Sequence, residues 1–137
     1  MKKLEFDNQQ PQCTSSDIQS VEVRYGFTYP MGLKELLLQH NGGTPINYNV
    51  FHTDSNDYYL DYVLPIKYGD DLSFEATMDD IKDLVPQNKI PFAMDPFGNF
   101  FLFDKTNYVI EFIDMEELHL TFLASDINKF IDKLKRD

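Results

Sequence analysis

Several features that proteins use for structure and catalysis are scarce in this sequence. Its 137 residues include one cysteine, Cys13, so no internal disulfide can form and a reducing compartment is expected. No window approaches 18 consecutive apolar residues, which excludes a hydrophobic membrane-spanning helix. Basic residues are also few: 12 Lys and Arg stand against 23 Asp and Glu, for a net charge of −11. That balance argues against nucleic-acid and anionic membrane partners and favours basic proteins.

Motifs for catalysis and cofactor binding are missing as well. The three histidines, His40, His52 and His119, fall in different predicted elements, and no H-x-x-x-H, C-x-x-C or calcium-loop pattern occurs. The glycines form neither a phosphate-binding loop nor a dinucleotide fingerprint, and no serine stands in a G-x-S-x-G elbow. We therefore expect no cofactor, no metal site and no enzymatic activity.

The first residues have no helical or strand period. We expect residues 1–14 to be a loose N-terminal arm and residues 15–137 to be a single domain. Lys2 and Lys3 resemble the start of a signal peptide, but acids and amides follow where an apolar run is required. A cytoplasmic protein without an export signal is the resulting expectation.

Two helices are predicted near the start of the domain. Ser16 and Gln19 fit a capping box, and this first helix is expected to end at Gly26. The second helix is expected to begin at Pro30, which suits a first helical turn because its missing N–H would lack a partner there. It should end at the Asn-Gly-Gly sequence of residues 41–43, since glycine adopts the left-handed conformation without a steric penalty.

Strand and helix patterns alternate through the rest of the chain. Alternating or continuous apolar runs predict strands over residues 46–52, 58–64, 90–94, 100–103, 108–113 and 119–123. Helical spacing predicts two more helices, over residues 72–84 and after a cap at Ser125. Short turns between successive strands indicate an α+β fold. We expect a mostly antiparallel sheet flanked by two N-terminal helices, one middle helix and one C-terminal helix.

Three stretches resemble motifs of the SUKH superfamily, the Smi/Knr-type proteins. Residues 22–30 are similar to E-x-x-x-G-x-x-L-P, residues 36–43 to F-L-L-x-x-N-G-G, and residues 90–104 to I-P-I-A-x-D-x-x-G-N-x-x-x-x-D. Tyr29 replaces the usual leucine before the proline, and the chain has no tryptophan, which many members carry. The motif residues expected to support the fold are Pro30, Asn41, Gly42, Gly43, Pro91, Gly98 and Asn99.

The resemblance implies a protein-binding module. Members of this superfamily are best known as immunity proteins that neutralise toxins, often nucleases, delivered between competing bacteria. We therefore expect this chain to bind and neutralise a cognate toxin domain, with a basic nuclease as the expected toxin. The alternative is a regulatory or adaptor module on the same fold, and an enzyme is the third hypothesis.

The expected partner surface is an acidic stretch, residues 54–83, in which nine acidic residues stand against two lysines. Such a surface complements the basic phosphate-binding cleft of a nuclease, and interface hot spots favour tyrosine. The predicted partner-binding residues are Asp54, Asp57, Tyr58, Asp61, Asp70 and Asp71. Two alternatives stay open: the acids serve only solubility, and Tyr58 and Tyr62 pack in the core.

Overall fold

The structure of residues 2–137, a computed structural model, contains four α-helices and nine strands. The helices are α1 (Ser15–Tyr25), α2 (Met31–Gln39), α3 (Phe74–Ile81) and α4 (Ile127–Lys133). The first five strands are β1 (Phe6–Asp7), β2 (Thr44–Pro45), β3 (Val50–His52), β4 (Asp57–Tyr59) and β5 (Tyr62–Val63). The last four are β6 (Lys89–Met94), β7 (Phe100–Asp104), β8 (Ile110–Asp114) and β9 (His119–Ala124).

One five-stranded antiparallel sheet organises the molecule. Its strands lie in the order β5-β6-β7-β8-β9, so neighbours in the sheet are also neighbours in the chain. Two further antiparallel pairs, β1-β2 and β3-β4, are separate two-stranded sheets. This architecture confirms the α+β class predicted from the sequence.

The two faces of the sheet pack against different elements, because successive side chains of a strand point to opposite faces. Phe101, Phe103 and Phe112 belong to the main core, which includes apolar residues of all four helices. Phe100, Leu102 and Ile113 form a smaller cluster with Ile81 and Val85, at and beyond the end of α3. All of β7 is buried, as its continuous apolar run predicted.

The Asn-Gly-Gly sequence after α2 joins three distant parts of the chain. Buried Asn41 donates from Nδ2 to the carbonyls of Pro11 and Ile66, at 2.9 Å each, and accepts from the Ile66 N–H at 2.8 Å. Gly43 has a φ of +96°, and a Cβ there would lie 2.7 Å from the carbonyl oxygen of Asp7. Only glycine therefore permits the close approach of β1 to this corner.

The expectation of a loose N-terminal arm is wrong for residues 2–14, which pack against the domain. Leu4 and Cys13 are buried in the main core, and β1 pairs with β2. Leu4, Phe6 and Cys13 hold this segment against the core. Three such contacts suffice without the periodic apolar pattern of a helix or strand. Met1, the first residue of the predicted arm, lies outside the described residues.

Two predicted strands differ from the observed ones. The strand expected over residues 46–52 is confined to β3, because the Asn47 side chain accepts the backbone N–H groups of Glu5 and Tyr48 and so competes with regular pairing. The strand expected over residues 58–64 divides into β4 and β5. The chain changes partners there: the Leu60 N–H bonds to the Asn49 carbonyl, whereas the Asp61 N–H bonds to that of Met94.

Helix starts also differ from their predictions. The capping box of α1 joins Thr14 to Asp17 rather than Ser16 to Gln19, and α4 is capped by Asp126 rather than Ser125. The middle helix is shorter than predicted because the Ser73 hydroxyl accepts the Ala76 N–H and fixes the start of α3. A 3₁₀ turn at Asp70–Leu72 precedes that cap.

Candidate protein-binding surface

The predicted partner-binding residues belong to three different segments of the fold. Asp54 and Asp57 belong to the β3-β4 hairpin, where the Asp57 carboxylate contacts Nδ1 of His52. Asp61 precedes β5 and is half-buried. Asp70 and Asp71 are exposed in the 3₁₀ turn before α3. Hence these acids are carried by three different segments of the chain.

Tyr58 belongs to the core, one of the alternatives left open by the sequence. Its side chain is 9% exposed, and its ring centroid lies 4.7 Å from that of Phe112 in the main sheet. Tyr62 is half-buried and donates its hydroxyl hydrogen to Met94 Sδ, while burial raises its pKa. Tyr58 is therefore unavailable to a partner without local unfolding.

Other carboxylates of the acidic stretch support the fold. Asp79 accepts the Tyr25 hydroxyl at 2.8 Å and pairs with Arg24 at 3.2 Å. Burial and the hydrogen bond to Asp79 raise the pKa of Tyr25 to about 12. Glu75 accepts the backbone N–H of Lys67 at 2.9 Å. These acids contribute internal contacts as well as surface charge.

A different group of acids meets at one end of the five-stranded sheet. Antiparallel pairing brings together the start of β5, the turn between β6 and β7, and the turn between β8 and β9. Strands in a sheet are about 4.8 Å apart, so these five strand ends span about 19 Å. The segments that form this end, residues 60–62, 94–100 and 113–120, carry no Lys or Arg.

The turn between β6 and β7 is held by a buried carboxylate. Asp95 accepts the backbone N–H groups of Phe97 and Asn99 at 2.9 and 2.8 Å, and the Asn99 side-chain amide at 3.1 Å. The turn glycine, Gly98, has a φ of +87°, and Pro91 is buried in β6 beside an irregularity in its pairing with β7. The resulting turn presents Phe97 to solvent with 79% of its surface exposed.

The turn between β8 and β9 is tied to the first one. The Met115 N–H donates to Asn99 Oδ1 at 2.9 Å, and Asp114 accepts the Glu116 N–H at 2.9 Å. Leu118, with a φ of +57°, closes the turn and is 44% exposed. Both turns therefore hold apolar side chains in solvent on a fixed backbone.

We call this end of the sheet the sheet-end surface: Asp61, Phe97, Asp114, Glu116, Glu117 and Leu118. Glu116 and Glu117 are exposed, and their carboxylates make no hydrogen bond or ion pair with the described residues. Only Asp61 was among the predicted site residues. Two features of the sequence could have indicated this surface. One is an aromatic residue inside a Pro-Phe-Gly-Asn turn, and the other is the acidic Asp-Met-Glu-Glu sequence that begins at residue 114.

A shallow cleft of about 330 Å³ adjoins this surface at Asp61. Tyr62, Leu72 and the backbone near Gly43 also line it, so Asp61 borders both the sheet end and the 3₁₀ turn. Basic residues gather elsewhere, where the two ends of the chain meet. Lys2 Nζ lies 4.7 Å and Arg136 Cζ 5.4 Å from the Tyr48 ring centroid, in a cleft of about 880 Å³.

An ion-pair cluster stabilises the opposite end of the sheet. Lys89 pairs with Asp104 at 2.9 Å and with Glu111, and Asn88 donates to Asp104 at 2.7 Å. Burial alone would lower the pKa of Lys89, but its hydrogen bonds to the two carboxylates outweigh burial and raise it. Burial likewise opposes ionisation of Asp104, yet Lys89 and two backbone N–H groups lower its pKa.

Within residues 2–137, no helix has the length and apolar character needed to cross a membrane. In the same part of the chain, no group of three His, Cys, Asp or Glu residues is arranged to hold a metal ion.

The fold and its surface define a small α+β domain with an antiparallel sheet and an acidic, partly apolar sheet end. The model of the SMI1 / KNR4 family (SUKH-1) matches residues 12–133, and the chain belongs to this family. The family is known for immunity proteins of toxin systems and for generally non-catalytic binding domains. No curated protein matches the chain.

Proposed function

We propose that this protein is a bacterial immunity protein that binds a cognate toxin domain in the cytoplasm and neutralises it. A basic nuclease is the toxin class that its charge complements best. The proposal is carried by the chain's membership of a family known for toxin-neutralising proteins. Its net charge of −11, on carboxylates that are largely at the surface, indicates the kind of toxin.

Electrostatics supply the proposed mode of action. Nucleases hold phosphates with Lys and Arg, and an acidic inhibitor can pair with those same side chains while it covers the active site. Charge complementarity increases association rates by about 10- to 1,000-fold, and this increase falls with ionic strength. Inhibition then requires binding alone, without turnover of any substrate.

Rescue and binding test the proposal together. The probe is the C-terminal domain of any large secreted protein that is encoded next to this gene. It is expressed in bacteria with and without this protein, and growth and affinity are measured at low and high salt. Rescue with salt-sensitive affinity supports an acidic inhibitor of a basic toxin, whereas rescue without salt dependence retains immunity and removes the electrostatic mechanism.

Failure of both assays has a clear meaning. If no neighbouring domain is toxic and none binds, the immunity proposal is overturned and the adaptor function becomes the leading one. Hydrolysis of a substrate by the purified chain, with no protein partner, would instead establish an enzyme.

A further inference from the structure

We propose that the sheet-end surface, rather than the acidic stretch, is the docking site for the basic partner. This inference rests on the proposed function, because it specifies where the toxin domain binds. The docking site combines the two exposed apolar residues Phe97 and Leu118 with a rim formed by Asp61, Asp114, Glu116 and Glu117.

Exposed apolar side chains on rigid turns are the first reason. Phe97 is 79% exposed, although the turn that carries it is fixed by three hydrogen bonds to Asp95. A large aromatic side chain held in water gains by burial in a partner, and hot spots are typically aromatic residues near an interface centre. Because the backbone is already ordered, docking costs little conformational entropy.

Charge of one sign around those side chains is the second reason. Four carboxylates lie at the same end of the sheet as Phe97 and Leu118, and the three segments that form this end contain no Lys or Arg. A hydrophobic centre with a charged rim is the usual anatomy of a protein interface. The rim's sign selects a partner rich in Lys and Arg and disfavours a second copy of this chain, which carries the same net charge of −11.

Most of the acidic stretch lacks this combination. Asp57 contacts His52, Asp79 pairs with Arg24, and Tyr58 is in the core. Asp70 and Asp71 are exposed beside Leu72, and they provide the competing surface. The two surfaces meet at Asp61, so variants of Asp61 do not separate them, whereas variants of Phe97 and Leu118 do.

The test compares Phe97→Ala with Met31→Ala. Met31 is a matched control because it is 75% exposed and lies in the first turn of α2, on another element. Neither substitution removes a buried side chain, so both proteins should unfold at the wild-type urea midpoint. Where co-expression identifies a neutralised toxin domain, that domain is the probe; where it does not, a phage-displayed library of random peptides is selected on the wild-type protein.

With either probe, Phe97→Ala should weaken binding by about tenfold or more, while Met31→Ala leaves it unchanged. Selected peptides should carry Lys or Arg beside an apolar residue. Toxin binding that survives Phe97→Ala overturns the docking site and leaves the proposed function intact. Basic peptides that require Phe97, in the absence of any neutralised toxin, would retain the docking site while the immunity function fails. Peptides that ignore Phe97, or no selected peptides, overturn the site.

Discussion

The acidic stretch and the sheet-end surface differ in how their charges are arranged. The stretch concentrates nine acids within residues 54–83, but folding distributes them over the β3-β4 hairpin, the start of β5, the 3₁₀ turn, α3 and the turn after α3. The sheet-end surface has fewer acids, drawn from positions as distant as 61 and 117, and antiparallel pairing places them together. Charge density along a chain is therefore a poor guide to charge density on a surface.

The largest expected effect is the loss of the turn that presents Phe97. Asp95→Ala removes the acceptor for two backbone N–H groups and one side-chain amide in a buried position. Leaving these three partly buried donors without their acceptor should lower the free energy of unfolding by about 3 kcal/mol, measured by urea denaturation. Asp71→Ala, at an exposed position of the acidic stretch without a positive φ, should change it by less than about 0.5 kcal/mol. Equal effects would contradict a structural difference between the two regions.

An acid titration should separate the buried carboxylates from the exposed ones. The pKa of Asp104 in the folded protein lies below its ordinary value of 3.8, so this group stabilises the fold above pH 3.8. That stabilisation is lost as the pH falls through the folded-state pKa. Asp104→Asn should lower stability at neutral pH by roughly 2 kcal/mol, because Lys89 loses a charged partner.

The same variant provides its own control at low pH. Between neutral pH and pH 3, the Asp104→Asn protein should lose less stability than the wild type, because it lacks one of the titrating groups. Urea midpoints at both pH values give the comparison. Parallel losses in the two proteins would mean that Asp104 titrates normally.

A smaller effect tests whether Asp79 is committed to the fold. Tyr25→Phe removes the hydroxyl that donates to Asp79 at 2.8 Å but retains the ring beside Phe74. The free energy of unfolding should fall by about 1 kcal/mol at neutral pH. Thermal or urea unfolding measures the change. An unchanged midpoint would mean that the contact between Tyr25 and Asp79 does not stabilise the fold.

The sequence predicted those parts of the fold in which local chemistry decides the outcome. The buried strand β7, the end of the first helix at Gly26 and the last strand were all predicted from patterns of neighbouring residues, and the structure contains them. Motif residues such as Asn41 were recognised by resemblance. Their contacts, including the bonds of Asn41 to Pro11 and Ile66, depend on the tertiary fold and cannot be derived from spacing.

The candidate site was predictable only in part, because its residues meet through the sheet. Asp61 was selected for the charge around it in sequence, yet its backbone N–H bonds to the carbonyl of Met94, at the end of β6. Tyr58 illustrates the opposite case. An aromatic residue among acids is typical of an interface, but the pairing of β4 with β3 places the Tyr58 ring against Phe112 in the core. Without the strand register, neither placement follows from the sequence.

The smallest expected effects compare the two surfaces at equal charge. Glu116→Gln with Glu117→Gln and Asp70→Asn with Asp71→Asn each remove two exposed acids, so both double variants carry a net charge of −9 in place of −11. Asparagine also tolerates the φ of +50° at residue 70.

If the partner docks at the sheet end, the Glu116 and Glu117 variant should slow association with the toxin domain several-fold at low salt. The Asp70 and Asp71 variant should slow it much less, since rim charges act mainly on the association rate. Both differences should shrink at high salt. Equal slowing would mean that only net charge matters, and a larger effect from Asp70 and Asp71 would move the docking site to the 3₁₀ turn.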